Sequence, residues 1–220
     1  LEPMLIADNE APEMTVQVNT LRTSAQALTV QLQEQGVGVK PHSWMPDCLV
    51  LSGTGNLEQL PAFREGKFYV QDPASRLSVL CAKLPKEGAR VLDCCSAPGG
   101  KSFAAAIAMA GCGRIQSCDV HAHKTALIEK GAQRLGLENI TVCQQDATRL
   151  VPQWCNVMDA VIVDAPCSGL GIIRKKPDIR YKNLTETEAL PALQKQILSN
   201  QANYVKPGGI LMYSTCTVLK

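Results

Sequence analysis

The residues able to do chemistry sit just beyond short apolar runs. Cys167, in DAPCSG, follows DAVIVD, and Cys216, in YSTCT, follows GGILMYS. A cysteine thiolate is a nucleophile and a proton acceptor. A single cysteine in such a place is most often a small buried hydrophobe; two at matching places, each in a turn rich in Ser, Thr or Gly, read as a working pair. Three acids occupy corresponding positions: Asp119 closes GRIQSCD, Asp146 follows ITVC, and Asp164 closes DAVIVD. Ahead of them stands VLDCCSAPGGKS, residues 91–102. A phosphate-binding loop G-x-x-x-x-G-K-[ST] needs glycine where this chain has Cys95, and the G-x-G-x-x-G fingerprint of a nucleotide-dependent dehydrogenase is absent. What remains is a strand, a tight Ala97-Pro98-Gly99-Gly100 turn and a helix expected from about Lys101. Glycines there let the backbone from Cys95 and Ser96 to Lys101 approach a ligand closely.

An acid about twenty residues past such a loop suits a ribose diol, which is the place of Asp119. A rim carrying Asp119, Asp146 and Asp164 serves a pyrophosphate poorly and serves hydroxyls, an adenine amino group and an ammonium well. S-adenosylmethionine has all of these, and it is the expected cofactor.

The elements that must position these residues follow from pattern. ARVLDC (89–94), GRIQSCD (113–119), ITVC (140–143), DAVIVD (159–164) and GGILMYS (208–214) are continuous apolar runs of the kind that form fully buried strands. Helix-like KSFAAAIAMA, HKTALIEKGAQRLG and TETEALPALQKQILSNQANYV alternate with them, the last with Pro191 at its start or at a kink. Strand alternating with helix implies an α/β domain over 71–220 with a mostly parallel, doubly wound sheet of Rossmann-like form, opened by a helix from Pro73 to about Lys83. Ligands bind such sheets at the carboxyl ends of the strands, near the switch in strand order. Before it, MTVQVNT (14–20), a helix over 23–36 capped by Thr23 and stopped by Gly36, and CLVLSG (48–53) outline a small α/β unit over 1–70.

With 220 residues, 45% of them hydrophobic and 19% charged, the chain has material for a real core. It carries neither an apolar run of membrane-spanning length nor a secretory leader pattern, so the expectation is a cytoplasmic protein without membrane contact. Its ten cysteines fall mostly in strand-like runs, which reads as reduced, buried thiols; Cys94, Cys95, Cys112, Cys118 and Cys143 fit that description. No C-x-x-C occurs, and His121 and His123 lack zinc-site spacing, so no metal is expected.

Together DCCSAPGGKS, DAPCSG and YSTCT resemble the motifs of the Sun/Nop group of RNA cytosine-C5 methyltransferases, and FREGKFYVQDPAS resembles the entry to the catalytic domain in its bacterial 16S rRNA members. Ser96 stands where alanine, and Ser102 where threonine, is more frequent. The resemblance covers most of 14–220, and it implies methyl transfer from S-adenosylmethionine to C5 of a cytosine in RNA. Cys216 would attack C6, Cys167 would assist the release of product, and Asp164 would hold the cytosine edge or the cofactor amino group. Lys101 is the cation expected to help ionise the attacking thiol, since a free thiol is only a few per cent thiolate at neutral pH. The family continues past the STC motif, so the chain is expected to be a fragment. Its small first unit resembles the family's RNA-recognition-like subdomain, although it lacks an RNP1-type aromatic pattern.

RNA also needs cations. RKKPDIRYK (174–182) supplies Arg174, Lys175, Lys176, Arg180 and Lys182 beside the DAPCSG turn, with Tyr181 available for stacking. The expected partner is 16S rRNA and the expected state a monomer. The alternative reading is a non-catalytic RNA-binding or ribosome-assembly factor that keeps the cofactor fold.

Overall fold

The structure, a computed structural model, describes residues 2–85 and 88–218; the expected outer limits of the two domains, Leu1 and Lys220, lie outside them. A short helix α1 (Glu2–Ala7) leads into β1 (Met14–Val18), α2 (Ala25–Glu34), β2 (Gly38–Pro41), β3 (Cys48–Ser52), the single turn α3 (Pro61–Arg64) and β4 (Phe68–Val70). The strands form an antiparallel sheet in the order β2-β3-β1-β4. Leu28 and Leu32 of α2 fill its inner face against Val16, Val18, Leu49, Leu51 and Phe68. Ser24, rather than Thr23, caps α2 by accepting a hydrogen bond from Ala27 N (3.1 Å), and Gly36 ends it in a left-handed conformation.

The other face of β1 does not meet water. Thr15 and Gln17 are buried, and Arg76 from the next helix donates to Gln17 Oε1 (2.8 Å), Pro46 O (3.0 Å) and Asp47 O (2.9 Å). The polar half of the MTVQVNT alternation therefore faces a neighbouring element, and the strand ends at Val18 because Asn19 turns inward to donate to Gly66 O and Leu135 O, both 2.9 Å.

The second sheet begins after α4 (Pro73–Cys81), which Asp72 caps through Ala74 N. It is built from β5 (Arg90–Asp93), α5 (Gly100–Ala108), β6 (Arg114–Asp119), α6 (Ala122–Leu135), β7 (Ile140–Gln144), β8 (Met158–Asp164), α7 (Leu190–Ala202) and β9 (Val205–Ser214). The order is β7-β6-β5-β8-β9, with every neighbouring pair parallel. Successive residues of β8 face opposite layers: Ala160 and Ile162 pack with α5 and α6, while Val161 and Val163 pack with Ile197 of α7. Both faces are covered, which is why these strands are continuously apolar. The chain leaves β5 toward β6 on one side and returns to β8 on the other, so the carboxyl ends of β5 and β8 diverge at the switch point.

Two boundaries and the exposure of one cysteine differ from expectation. Pro191 lies in the first turn of α7, where its missing N–H costs nothing, and residues 184–187 form a separate 3-10 turn. The last strand begins at Val205, three residues early. Cys112, expected to be buried, is exposed in the turn before β6.

Candidate active site

The loop after β5 is shaped by contacts with its own helix and with β6. Gly99 has φ 109°, and a Cβ there would lie 2.3 Å from Phe103 Cζ, so only glycine turns the chain into α5 at this point. Ser96 is buried and donates through both its N (2.8 Å) and its Oγ (3.0 Å) to Cys118 O, tying the loop to the end of β6. Beneath it, Ser117 Oγ and Ser102 Oγ are 2.7 Å apart, and Ser102 donates to Asp93 Oδ2 (2.7 Å). Asp93 is fully buried, and burial above all pushes its carboxyl up to about 7.

A cavity of about 680 Å³ opens over the carboxyl ends of the strands. Five of the ten residues expected to hold a cofactor are on its wall: Cys95, Ala97, Asp119, Asp146 and Asp164. Ser96, Pro98, Gly99, Gly100 and Lys101 are not; they set the loop's path or brace an acid. Asp119 is 8% exposed and uses Oδ1 to accept from His121 N (3.0 Å), leaving Oδ2 for a ligand. Asp146 accepts from Thr148 Oγ1 (2.7 Å) and Thr148 N (2.9 Å), and these bonds hold its carboxyl below the usual carboxylate range.

The thiols meet on the wall of the same cavity. Cys167 and Cys216 both line it, with their sulfurs 3.0 Å apart, and Cys216 N donates to Cys167 Sγ (3.2 Å). Parallel pairing of β8 with β9 carries Asp164 and Ser214 to one level, which brings together two turns separated by 49 residues. Ser168 and Thr217, one residue past each cysteine, are joined by a 2.6 Å hydrogen bond, and Gly171 N donates to Cys216 O (2.9 Å). Asp164 accepts from Ser214 Oγ on Oδ1 (2.8 Å) and from Lys101 Nζ on Oδ2 (2.7 Å). The charge of Lys101 thus answers Asp164, a different partner from the thiol it was expected to serve. Partial burial, the hydrogen bond with Cys167 and the nearby Asp164 charge push the Cys216 thiol up to about 11.

The basic run is largely engaged within the chain. Arg174 donates to Ala11 O (3.0 Å) and lies 3.6 Å from Glu10, Arg180 donates to Asp8 O (2.8 Å), and Lys175 pairs with Asp72. Lys176 is on the cavity wall and Tyr181 is 90% exposed.

The family profile described as 16S rRNA methyltransferase RsmB/F matches residues 81–220, and that of the RsmF/B-like ferredoxin-like domain matches 1–58. The chain belongs to the RsmB/F family. A probable ribosomal RNA small subunit methyltransferase B of Bacillus subtilis is 39% identical over 94% of this chain and 46% of its own length. The ribosomal RNA small subunit methyltransferase B of Citrobacter koseri is 35% identical over 99% and 51%. The chain spans about half the length of the curated relatives it matches. The crystal structure of PH0851 superposes with a TM-score of 0.94 at 32% identity, covering 100% of this chain and 50% of that one. A methyltransferase homologue from Pyrococcus horikoshii gives 0.81 at 28%, covering 98% and 68%. S-adenosylmethionine is the cofactor of RsmB/F methyltransferases.

Three groups at the site escaped the sequence reading. Ser214 and Thr217 flank Cys216 inside YSTCT, so their nearness was visible but their bonds were not. Ile197 of α7 lines the cavity with nothing in its pattern to separate it from core.

Proposed function

We propose that the chain carries the catalytic unit of an S-adenosylmethionine-dependent methyltransferase acting on C5 of a cytosine in RNA, with 16S rRNA as substrate. The observation that carries this reading is the pair of thiols 3.0 Å apart on the wall of a cavity that also holds the acidic strand ends. The cavity fits the cofactor: it has room for a nucleoside, a loop kept open by Gly99, and Asp119 with a free carboxylate oxygen for a ribose diol. Asp146 and Asp164 offer acceptors for the adenine edge and the ammonium.

Bound there, the cofactor supplies a sulfonium methyl, an electrophile that unactivated cytosine C5 does not attack. The chain supplies the activation. Cys216, having lost its proton to solvent, adds to C6 as the thiolate, forming an S–C6 bond and moving the C5=C6 electron pair onto C5. Asp164 keeps lone pairs beyond its two internal bonds and accepts from the cytosine N4 amino group. Once C5 carries the methyl group it still carries its proton; Cys167 accepts that proton, the C5=C6 bond re-forms, and the S–C6 bond breaks to free Cys216. A cytosine reaches this depth only when flipped out of its stack, with Lys176 on the cavity wall to meet phosphate and the exposed Tyr181, five residues on, available to stack on a base.

The test uses the full-length protein with 16S rRNA and S-adenosylmethionine. Cys216→Ala abolishes methylation and any covalent adduct, while Cys167→Ala accumulates a protein–RNA complex that survives a denaturing gel. An adduct in Cys216→Ala but not in Cys167→Ala reverses the two roles; methylation of an unmutated control at any atom but C5 removes the mechanism.

A further inference from the structure

A second pair of thiols lies outside the chemistry just described. Cys118 of β6 and Cys143 of β7 are direct partners in the parallel register, and their sulfurs are 2.8 Å apart. That is inside the ~3.5–4.0 Å of ordinary nonbonded contact and outside the ~2.05 Å of a covalent bond. Neighbouring strands hold paired Cα atoms about 4.8 Å apart, within the range of about 4.4–6.8 Å that a disulfide spans. The vicinal pair Cys94 and Cys95 is more open, at 3.9 Å.

The two partners are unequal. Cys118 is buried and Cys143 is half-buried, so a small solute reaches Cys143 first. The two sulfurs share a hydrogen bond that either can donate; the contact holds the Cys143 thiol below its ordinary value, while the same contact and burial push Cys118 up. This is the division of labour of an attacking and a resolving thiol.

The pair is also wired to the cofactor loop. Cys118 O is the acceptor that holds both Ser96 N and Ser96 Oγ, Asp119 is the next residue along β6, and Asp119 O accepts from Gln145 N (3.1 Å) at the end of β7. A bond between the two sulfurs would fix the Cys118 side chain against β7, at the strand end on which the loop rests.

We propose that Cys143 and Cys118 form a hydroperoxide-responsive site whose oxidation to a disulfide weakens S-adenosylmethionine binding. The proposal rests on the cavity being the cofactor site. The Cys143 thiolate attacks the O–O bond, forming S–O as the second oxygen leaves and takes up a proton. Cys118 then attacks the sulfenic sulfur, forming S–S as hydroxide departs with the Cys118 proton as water. Two electrons pass from the two sulfurs to one peroxide.

The experiment treats full-length protein with hydrogen peroxide in a Cys167→Ser/Cys216→Ser background, which removes the other close pair. Alkylation, digestion and mass spectrometry should find a peptide linked Cys118 to Cys143, two hydrogens lighter than the reduced pair and reversed by dithiothreitol. Cofactor affinity by calorimetry should fall about fivefold or more on oxidation, the scale of losing one well-made hydrogen bond. It should stay unchanged in Cys143→Ser, with Cys118→Ser as the second control. Peroxide treatment that yields only unlinked sulfinic or sulfonic acids overturns the proposal, as does a linked peptide with unaltered affinity. Failure of the reduced protein to bind cofactor overturns the cavity reading instead.

Discussion

The resting state of Cys216 can be tested without any turnover. Its thiol is pushed from 9.0 to about 11 by burial first, then by the hydrogen bond with Cys167 and the charge of Asp164. At pH 7.5 an ordinary thiol of that reference value is about 3% thiolate and one at 11 is about 0.03%, a hundredfold difference. The rarer thiolate is intrinsically more reactive; a Brønsted coefficient of about 0.4–0.5 returns some six- to tenfold. Iodoacetamide should therefore alkylate Cys216 roughly tenfold more slowly than an unperturbed exposed thiol, even though the residue is exposed. Cys112, also exposed, is the internal reference. The assay is time-resolved labelling of the apo protein from pH 7 to 10, read peptide by peptide in a mass spectrometer. The Cys216 rate should still be rising at pH 10, and Cys167→Ala should speed labelling at pH 7.5. A rate for Cys216 that levels off near pH 8, or one that outruns Cys112 at neutral pH, would refute the reasoning. On the proposed mechanism Cys216 rests protonated in the apo protein and is ionised in the complex with substrate.

Gly99→Ala places a Cβ against Phe103 at a left-handed φ and should cost about 1–3 kcal/mol in urea unfolding, with cofactor affinity falling alongside. Arg76→Ala removes one buried and two part-buried hydrogen bonds from α4 to Gln17 of β1 and to the loop before β3, and should cost about 2–4 kcal/mol by the same measurement. Asp93 binds its proton up to about pH 7 in the folded chain and only to about 3.8 when unfolded. Its contribution to stability is therefore present below that unfolded value and is lost as pH rises through 7. Asp93→Asn should flatten the decline in stability between about pH 4 and 7; an unchanged pH profile would show that Asp93 does not titrate there.

The parallel sheet was legible because burial on both faces leaves strands that are apolar at every position, and the loop and the two cysteine turns were legible because they interrupt that regularity. The first sheet was harder. β2 is four residues containing glycine and proline, and β4 is three; neither is long enough to show a period, and both are held by pairing to β3 and β1. The alternation of MTVQVNT marks a strand but says nothing of what covers its polar side, where Gln17 meets Arg76. Lys101 was chosen as the cation at the start of the helix after the loop, and the Asp164 carboxylate, 63 residues on, is its partner. The basic run read as free positive charge, but the acceptors that meet it, Asp8 O, Glu10, Ala11 O and Asp72, belong to distant segments that composition alone does not bring together.

The join between the two sheets has a consequence for substrate choice. Asn19 bridges Gly66 O and Leu135 O, and Arg134 donates to Phe63 O (2.7 Å) and Phe68 O (3.0 Å) while lying over the Phe63 ring. A side chain at Gly66 would meet Arg134 O at 2.0 Å, so the backbones are in contact where they cross. Units bolted together in this way work as a caliper with a locked jaw. On the proposed function, an RNA strand lying across both would present its reacting base at one set offset from the first sheet, so that distance would select the substrate before any base is read.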